Sequence, residues 1–238
     1  MPASLPPVVD DPLFFLDYDG TLAPLVEDPM RAFPHPEVET LLATLEQRFP
    51  VWIVTGRYLA DLSVFFERPF RAIGLHGMQE GTIGGAARIT VEDAAREAID
   101  RMRATIPVLD GLAVEDKGPT FAVHYRRVAD EAAARERLQA WMAGMPDVLN
   151  PIWGKKVVEV RPHGIDKGVA VRRVAAAHPE RVPLYLGDDV TDEDAFAALH
   201  ALRDDAVTVK VGEGETQARY RLADVEAVVA YLKRYVEG

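Results

Sequence analysis

The chain has 238 residues, of which 48% are hydrophobic and 27% charged, with a formal net charge of −11 and no cysteine. That length and balance suit a soluble globular protein with a large core and room for one inserted subdomain. The negative charge argues against non-specific binding to nucleic acid or anionic membrane, and the missing cysteine excludes disulfides, zinc–thiolate sites and thiol nucleophiles. No apolar run approaches the ~18 residues that a membrane span needs. The opening Met1-Pro2-Ala3-Ser4-Leu5-Pro6-Pro7 has neither the basic region nor the apolar segment of a secretory signal, so a cytoplasmic protein is expected.

Leu13-Phe14-Phe15-Leu16 predicts a strand buried on both faces, as in a parallel sheet covered by helices. It stops at Asp17-Tyr18-Asp19-Gly20, where two carboxylates at i, i+2 can aim at one ligand and Gly20 permits a sharp turn. On spacing alone this is either the edge of an active site or an ordinary Asp/Gly turn. Pro24, Pro29, Pro34 and Pro36 mark a loop, after which Val38, Leu41, Leu42 and Leu45 fall on one helix face. Val51-Trp52-Ile53-Val54 predicts a second buried strand, ending at Thr55-Gly56-Arg57, with a helix following through about Glu67. Ala72-Ile73-Gly74-Leu75 predicts a third strand, ending at His76-Gly77. Strand and helix alternate, which argues for an open parallel sheet.

The pattern then changes. Gly81-Thr82-Ile83-Gly84-Gly85 reads as a turn or small hairpin, followed by a helix with Ala95, Ile99, Met102 and Ile106 on one face. Leu112–Lys117 and Thr120–Arg126, separated by Gly118-Pro119, predict an antiparallel hairpin with charged ends. A helix carrying Ala134, Leu138, Trp141 and Met145, then a strand over Lys155–Arg161, complete a compact α+β unit unlike its surroundings. The parallel pattern resumes after Pro162-His163-Gly164. Lys167-Gly168 opens a helix with Val171, Val174, Ala175 and His178 on one face, and the buried strand Leu184-Tyr185-Leu186 ends at Gly187-Asp188-Asp189. A helix begins near Thr191, where Thr191 and Asp194 fit a capping pattern. Val207–Val211 is a last strand, and Val225, Val228, Val229, Leu232 and Val236 line the closing helix.

Two distant strands thus terminate in paired carboxylates. In an open parallel sheet the strand carboxyl ends share one edge, where ligands bind. Asp17, Asp19, Asp188 and Asp189 gathered there would repel one another unless a cation sat among them, and all-oxygen ligation favours Mg2+. Thr55-Gly56-Arg57, between strand and helix, reads as a phosphate site at a helix N-terminus or as an ordinary N-cap. Lys167, at the unfavourable end of a helix dipole, reads as the partner of an anion or carboxylate cluster or as a solvated side chain. His76 is equally a structural or a catalytic residue. The histidines show no metal-ligand spacing.

Asp17-Tyr18-Asp19-Gly20-Thr21-Leu22, Thr55-Gly56-Arg57, Lys167-Gly168 and Gly187-Asp188-Asp189-Val190-Thr191-Asp192-Glu193-Asp194 together resemble, in order, the four motifs of the haloacid dehalogenase (HAD) superfamily. Over nearly its whole length the chain resembles the trehalose-6-phosphate phosphatase family within it. Glu115-Asp116-Lys117, His124-Tyr125-Arg126, Gly154-Lys155 with Val158-Glu159, and Lys210-Val211-Gly212 with Thr216-Gln217-Ala218 look like that family's signatures. The resemblance implies an α/β fold, a HAD-like Rossmannoid core with a parallel sheet (residues 1–87 and 163–238) and an inserted α+β cap domain (88–162) over its catalytic edge.

It also implies roles. Asp17 would be the nucleophile and Asp19 the general acid, then base. Mg2+ would be held by the Asp17 side chain, the Asp19 carbonyl and Asp188, with Asp189 or Asp192 outside them. Thr55, Gly56 N–H and Lys167 would bind phosphoryl oxygens, and Glu115, Lys117, Arg126, Lys155 and Glu159 the sugar. Pattern alone does not separate Lys155 from Lys156; Lys155 is chosen because it follows Gly154. The implied activity is Mg2+-dependent hydrolysis of trehalose 6-phosphate, with a functional link to a trehalose-phosphate synthase. The alternative is another glycosyl phosphate, such as glucosyl- or mannosyl-3-phosphoglycerate. A non-catalytic sugar-sensing domain would have lost a catalytic acid, and Asp17, Asp19, Lys167 and Asp188 are all present.

Overall fold

The structure, a computed structural model, describes residues 5–237; Met1–Ser4, part of the stretch read above for a secretory signal, lie outside the described residues. The chain divides into two compact units. The first runs to Arg88 and resumes at Asp166; the second is Ile89–Ile165.

The first unit begins with β1 (Pro12–Asp17), α1 (Val38–Leu45), β2 (Val51–Val54), α2 (Leu59–Leu62), β3 (Arg71–Gly74), β4 (Gln79–Thr82) and β5 (Ala87–Ile89). The second contains α3 (Asp93–Ala104), β6 (Ala113–Asp116), β7 (Phe121–His124), α4 (Glu131–Met142), β8 (Leu149–Gly154) and β9 (Val157–Pro162). The first then closes with α5 (Lys167–Ala176), β10 (Val182–Gly187), α6 (Val190–Leu202), β11 (Val207–Val211), β12 (Tyr220–Leu222) and α7 (Val225–Lys233). Among the described residues no helix is long and apolar enough to cross a membrane.

The strand order of the first unit is β12-β11-β10-β1-β2-β3-β4-β5, parallel from β12 to β3 and antiparallel between β3 and β4. β1 lies at its centre, and its side chains alternate between two cores. Phe14 and Leu16 pack with residues of α1 and α7, while Leu13 and Phe15 pack on the other face with residues of α5 and α6. All four are fully buried, each worth about 1.5–3 kcal/mol of apolar transfer. That two-faced burial is why the run is continuous rather than alternating. Asp residues cap four α-helices, Asp189 at α6 among them; the side chains of Asp130, Asp166 and Asp224 accept backbone N–H groups of α4, α5 and α7 at 2.8–3.0 Å.

The second unit is a four-stranded antiparallel sheet, order β6-β7-β9-β8, with α3 and α4 on one face. Phe121, Val123, Val158 and Val160 point to the helices and are fully buried. By the two-residue period, Glu115, Ala122 and Glu159 share the other face, in register across β6, β7 and β9.

Four local expectations are corrected. The helix expected through Glu67 stops at Leu62; Ser63 caps it by bonding back to the Ala60 carbonyl at 2.6 Å, and Phe65 and Phe66 turn inward onto Tyr18. β8 was not expected, because Pro151 interrupts its apolar run; it lies at the sheet edge, where a missing N–H is tolerated. β12, only three residues long, also left no pattern to read. The N-cap of α6 is Asp189, not Thr191, and the Asp189 N–H donates to Asp192 Oδ2 at 2.9 Å.

Candidate active site

The parallel pairing of β1 with β10 sets Leu16 against Leu186, so the acidic residues that follow each strand emerge side by side. Gly20 makes their approach possible. Its φ of +72° suits glycine, and a Cβ there would fall on the Asp188 carboxylate. Carboxylate oxygens of Asp17, Asp188 and Asp192 all lie within 4.8 Å of one another.

Lys167 is driven into the same cluster. As the first residue of α5 it is 2% exposed, and its Nζ donates to Asp17 Oδ1 at 2.7 Å and to Asp192 Oδ1 at 2.8 Å. Of its two sequence readings, the carboxylate partner is the one observed. The Tyr185 hydroxyl donates to Asp192 Oδ1 at 2.7 Å, and Lys210 Nζ donates to the Asp188 carbonyl. Burial depresses the Lys167 pKa, but the Asp17 and Asp192 carboxylates together outweigh it and the net pKa is raised. Burial pushes Asp17 well above the usual carboxylate range against the pull of Lys167, and Asp192 and Asp188 push the same way. Asp188 is pushed up to about 6, first by burial and then by Asp192 and Asp189.

Three carboxyl groups gather around Lys167, with Lys210 on the Asp188 carbonyl, so acids outnumber ammonium groups in a largely buried place. An oxygen-only donor set of this kind fits a hard divalent cation, and Asp17, Asp188 and Asp192 are the side chains that would hold it. Asp189, exposed at the start of α6, stands beside them through its N–H bond to Asp192.

The turn Thr55-Gly56-Arg57 follows β2 on the same sheet edge. It is not a helix N-terminus: α2 begins only at Leu59 and spans four residues, so the expected helix-dipole anion site is absent. What remains is the buried Thr55 hydroxyl, which accepts the Arg57 N–H at 3.0 Å and keeps its own proton to donate, and the Gly56 N–H. A Cβ on Gly56 would fall on the His76 ring, and His76 itself holds a left-handed conformation (φ 54°).

Asp19 faces elsewhere. Its oxygens Oδ1 and Oδ2 receive Arg57 Nη2 and Nε at 2.6 and 2.7 Å. Arg57 was part of a quoted motif but had no assigned role; Tyr185 had none either, although a hydroxyl inside an otherwise apolar strand was a signal that it would need a buried partner.

In the second unit, Glu115, Lys117 and Glu159 form one network. Lys117 Nζ lies 3.4 Å from Glu159 and 3.9 Å from Glu115, and His124 Nε2 is 3.1 Å from Glu115. Arg126 and Lys155 are exposed and stand outside that network. Lys156 pairs with Glu131 at 2.5 Å, which leaves Lys155 as the uncommitted lysine of the β8–β9 turn.

Comparisons agree with this architecture. The family profile of trehalose-phosphatase matches residues 15–226. A trehalose-6-phosphate phosphatase-related protein of Thermoplasma acidophilum is 33% identical over 93% of this chain and 95% of its own length. Trehalose-6-phosphate phosphatase of Escherichia coli K12 is 33% identical over 92% of this chain and 85% of its own. The C-terminal domain of trehalose-6-phosphate phosphatase from C. albicans superposes with a TM-score of 0.76 at 25% identity, covering 95% of this chain and 92% of that one. A haloacid dehalogenase-like hydrolase of B. subtilis, at 13% identity and a TM-score of 0.65, shares the fold alone. The resemblance to the trehalose-6-phosphate phosphatase family read over nearly the whole length is borne out: the chain belongs to the trehalose-phosphatase family, phosphatases with a HAD-like Rossmannoid core and an inserted α+β cap domain.

Proposed function

We propose that this phosphatase hydrolyses trehalose 6-phosphate to trehalose and phosphate in the cytoplasm, with Mg2+ and through an aspartyl-phosphate. The observation that carries the proposal is the buried Asp17 carboxylate, oriented by Lys167 at 2.7 Å within a cluster of acids. Asp17 attacks phosphorus through one oxygen as the bond from phosphorus to the sugar oxygen breaks. Asp19 gives that leaving oxygen a proton. The Asp19 carboxylate then takes a proton from a water molecule whose oxygen attacks the aspartyl-phosphate, releasing phosphate and restoring both residues. Lys167, the Thr55 hydroxyl and the Gly56 N–H hold phosphoryl oxygens in both steps. Mg2+, when bound by Asp17, Asp188, Asp192 and the Asp19 carbonyl, supplies positive charge that offsets repulsion between phosphate and carboxylate.

Sugar recognition falls to Glu115, Lys117 and Glu159, with Arg126 and Lys155. Carboxylates and ammonium groups held in a preformed network suit a substrate rich in hydroxyls and disfavour one that leaves them unpaired. A trehalose-phosphate synthase would supply the substrate.

Phosphate release by the purified protein tests the proposal. Trehalose 6-phosphate should be turned over with Mg2+ and not with EDTA, and Asp17→Asn should abolish release. Equal turnover of glucose 6-phosphate, sucrose 6-phosphate or a glucosyl- or mannosyl-3-phosphoglycerate would sink the substrate assignment. Activity retained by Asp17→Asn would sink the covalent route.

A further inference from the structure

Asp19 stands apart from the carboxylates gathered around Lys167, and one guanidinium accounts for its position. Arg57 Nε donates to Oδ2 at 2.7 Å and Nη2 to Oδ1 at 2.6 Å. The remaining arm, Nη1, donates to the Pro29 carbonyl at 2.6 Å. The guanidinium carbon also lies 5.4 Å from the centre of the Tyr18 ring and 5.7 Å from that of Phe65. The Arg57 side chain is 13% exposed, while that of Asp19 is 35% exposed. An Asp at that exposure would ordinarily sample several rotamers. A planar fork matched to the carboxylate confines it to one, and the fork is itself anchored at a third point and against two rings.

We propose that Arg57 is a positioning residue for proton transfer: by fixing the Asp19 carboxyl, it decides which side of that group meets the leaving oxygen. The two N–H bonds occupy the inner side of both oxygens, so a proton passes on the outer side. It moves from the Asp19 carboxyl to the sugar oxygen as the phosphorus–oxygen bond breaks, and the carboxylate left behind keeps its Arg57 bonds. The same carboxylate later recovers a proton from the attacking water. The inference rests on the proposed role of Asp19 as the acid and base.

The test uses two substrates that differ in their need for a proton. The sugar leaving group of trehalose 6-phosphate must be protonated, whereas p-nitrophenyl phosphate releases a stable anion. kcat/KM covers the steps through leaving-group release for both. Arg57→Lys keeps the charge and loses the fork; Arg57→Gln loses both, and thermal unfolding reports whether each variant folds. Because a positioned acid supplies roughly 100- to 10,000-fold, either substitution should lower kcat/KM at least about tenfold on trehalose 6-phosphate and less than about threefold on p-nitrophenyl phosphate. In an Asp19→Asn background, Arg57→Lys should cost nothing further. Equal losses on both substrates, or additive losses in the double variant, indicate a merely structural Arg57 and overturn the proposal. If Asp19→Asn alone lowers both substrates equally, the acid–base assignment fails first and this inference fails with it.

Discussion

Lys167 is the residue on which the electrostatics of the site depend. It is buried between Asp17 and Asp192, and its removal would leave those carboxylates without their counter-ion. Breaking a buried pair costs about 3–5 kcal/mol, so Lys167→Met should lower the unfolding free energy by about that much in EDTA, read as a lower urea midpoint. Added Mg2+ should recover part of the loss, because the cation neutralises the same acids. Activity should fall about 100- to 1,000-fold, as when one donor to a developing oxyanion is deleted. A Lys167→Met protein as stable as the parent would mean that the acids do not depend on this ammonium. Two residues away in the network, Tyr185 ties Asp192 down, which explains a tyrosine in the middle of an otherwise apolar strand.

At the scale of elements, the site is an outcome of where strands end and helices start. β1 and β10 deliver Asp17 and Asp188 because their parallel register sets Leu16 against Leu186, and a one-residue slip would send each side chain into the wrong one of the two cores. α5 delivers Lys167 as its first residue because Asp166 caps the helix, its carboxylate accepting the Val169 N–H at 2.8 Å. Asp166→Ala should cost about 1 kcal/mol of stability, seen as a lower urea midpoint with an unchanged slope. It should also reduce activity, because the first turn of α5 carries the ammonium; activity retained in full would detach the cap from the site. The strands and most helices were legible, since runs such as Phe14–Leu16 and faces such as Val38/Leu41/Leu42/Leu45 carry their periods openly. β8 was not, because Pro151 reads as a breaker and only its place at the sheet edge makes it tolerable. Nor was the early stop of α2, where Phe65 and Phe66 gain more from packing on Tyr18 than from another helical turn.

At the scale of the whole molecule, the chemistry is, by our proposal, divided between the two units: phosphoryl transfer in the first and sugar recognition in the second. The division is testable. Glu159→Gln should lower kcat/KM on trehalose 6-phosphate by at least about tenfold, the range in which unpaired polar groups discriminate. It should leave p-nitrophenyl phosphate hydrolysis unchanged, because the core acids are untouched. An equal loss on both substrates would place Glu159 in the core chemistry or in folding.

The sequence by itself determined the alternation of buried strands and helices, the interruption by an α+β unit, and the identity of the acids at strand ends. It could do so because those features are local: periodicity, turn residues and motif order are written in consecutive positions. The tertiary structure decided the pairings. That Lys167 meets Asp17 across 150 positions, that Arg57 rather than the acidic cluster takes Asp19, and that Lys117 joins Glu159 are consequences of strand order and register. Asp17-Tyr18-Asp19 showed two equivalent carboxylates. The fold makes them unequal, one sealed against an ammonium inside the protein and the other held near the surface by a guanidinium, because Asp17 is the last residue of β1 while Asp19 lies in the turn beyond it, where the two-residue period of a strand no longer holds.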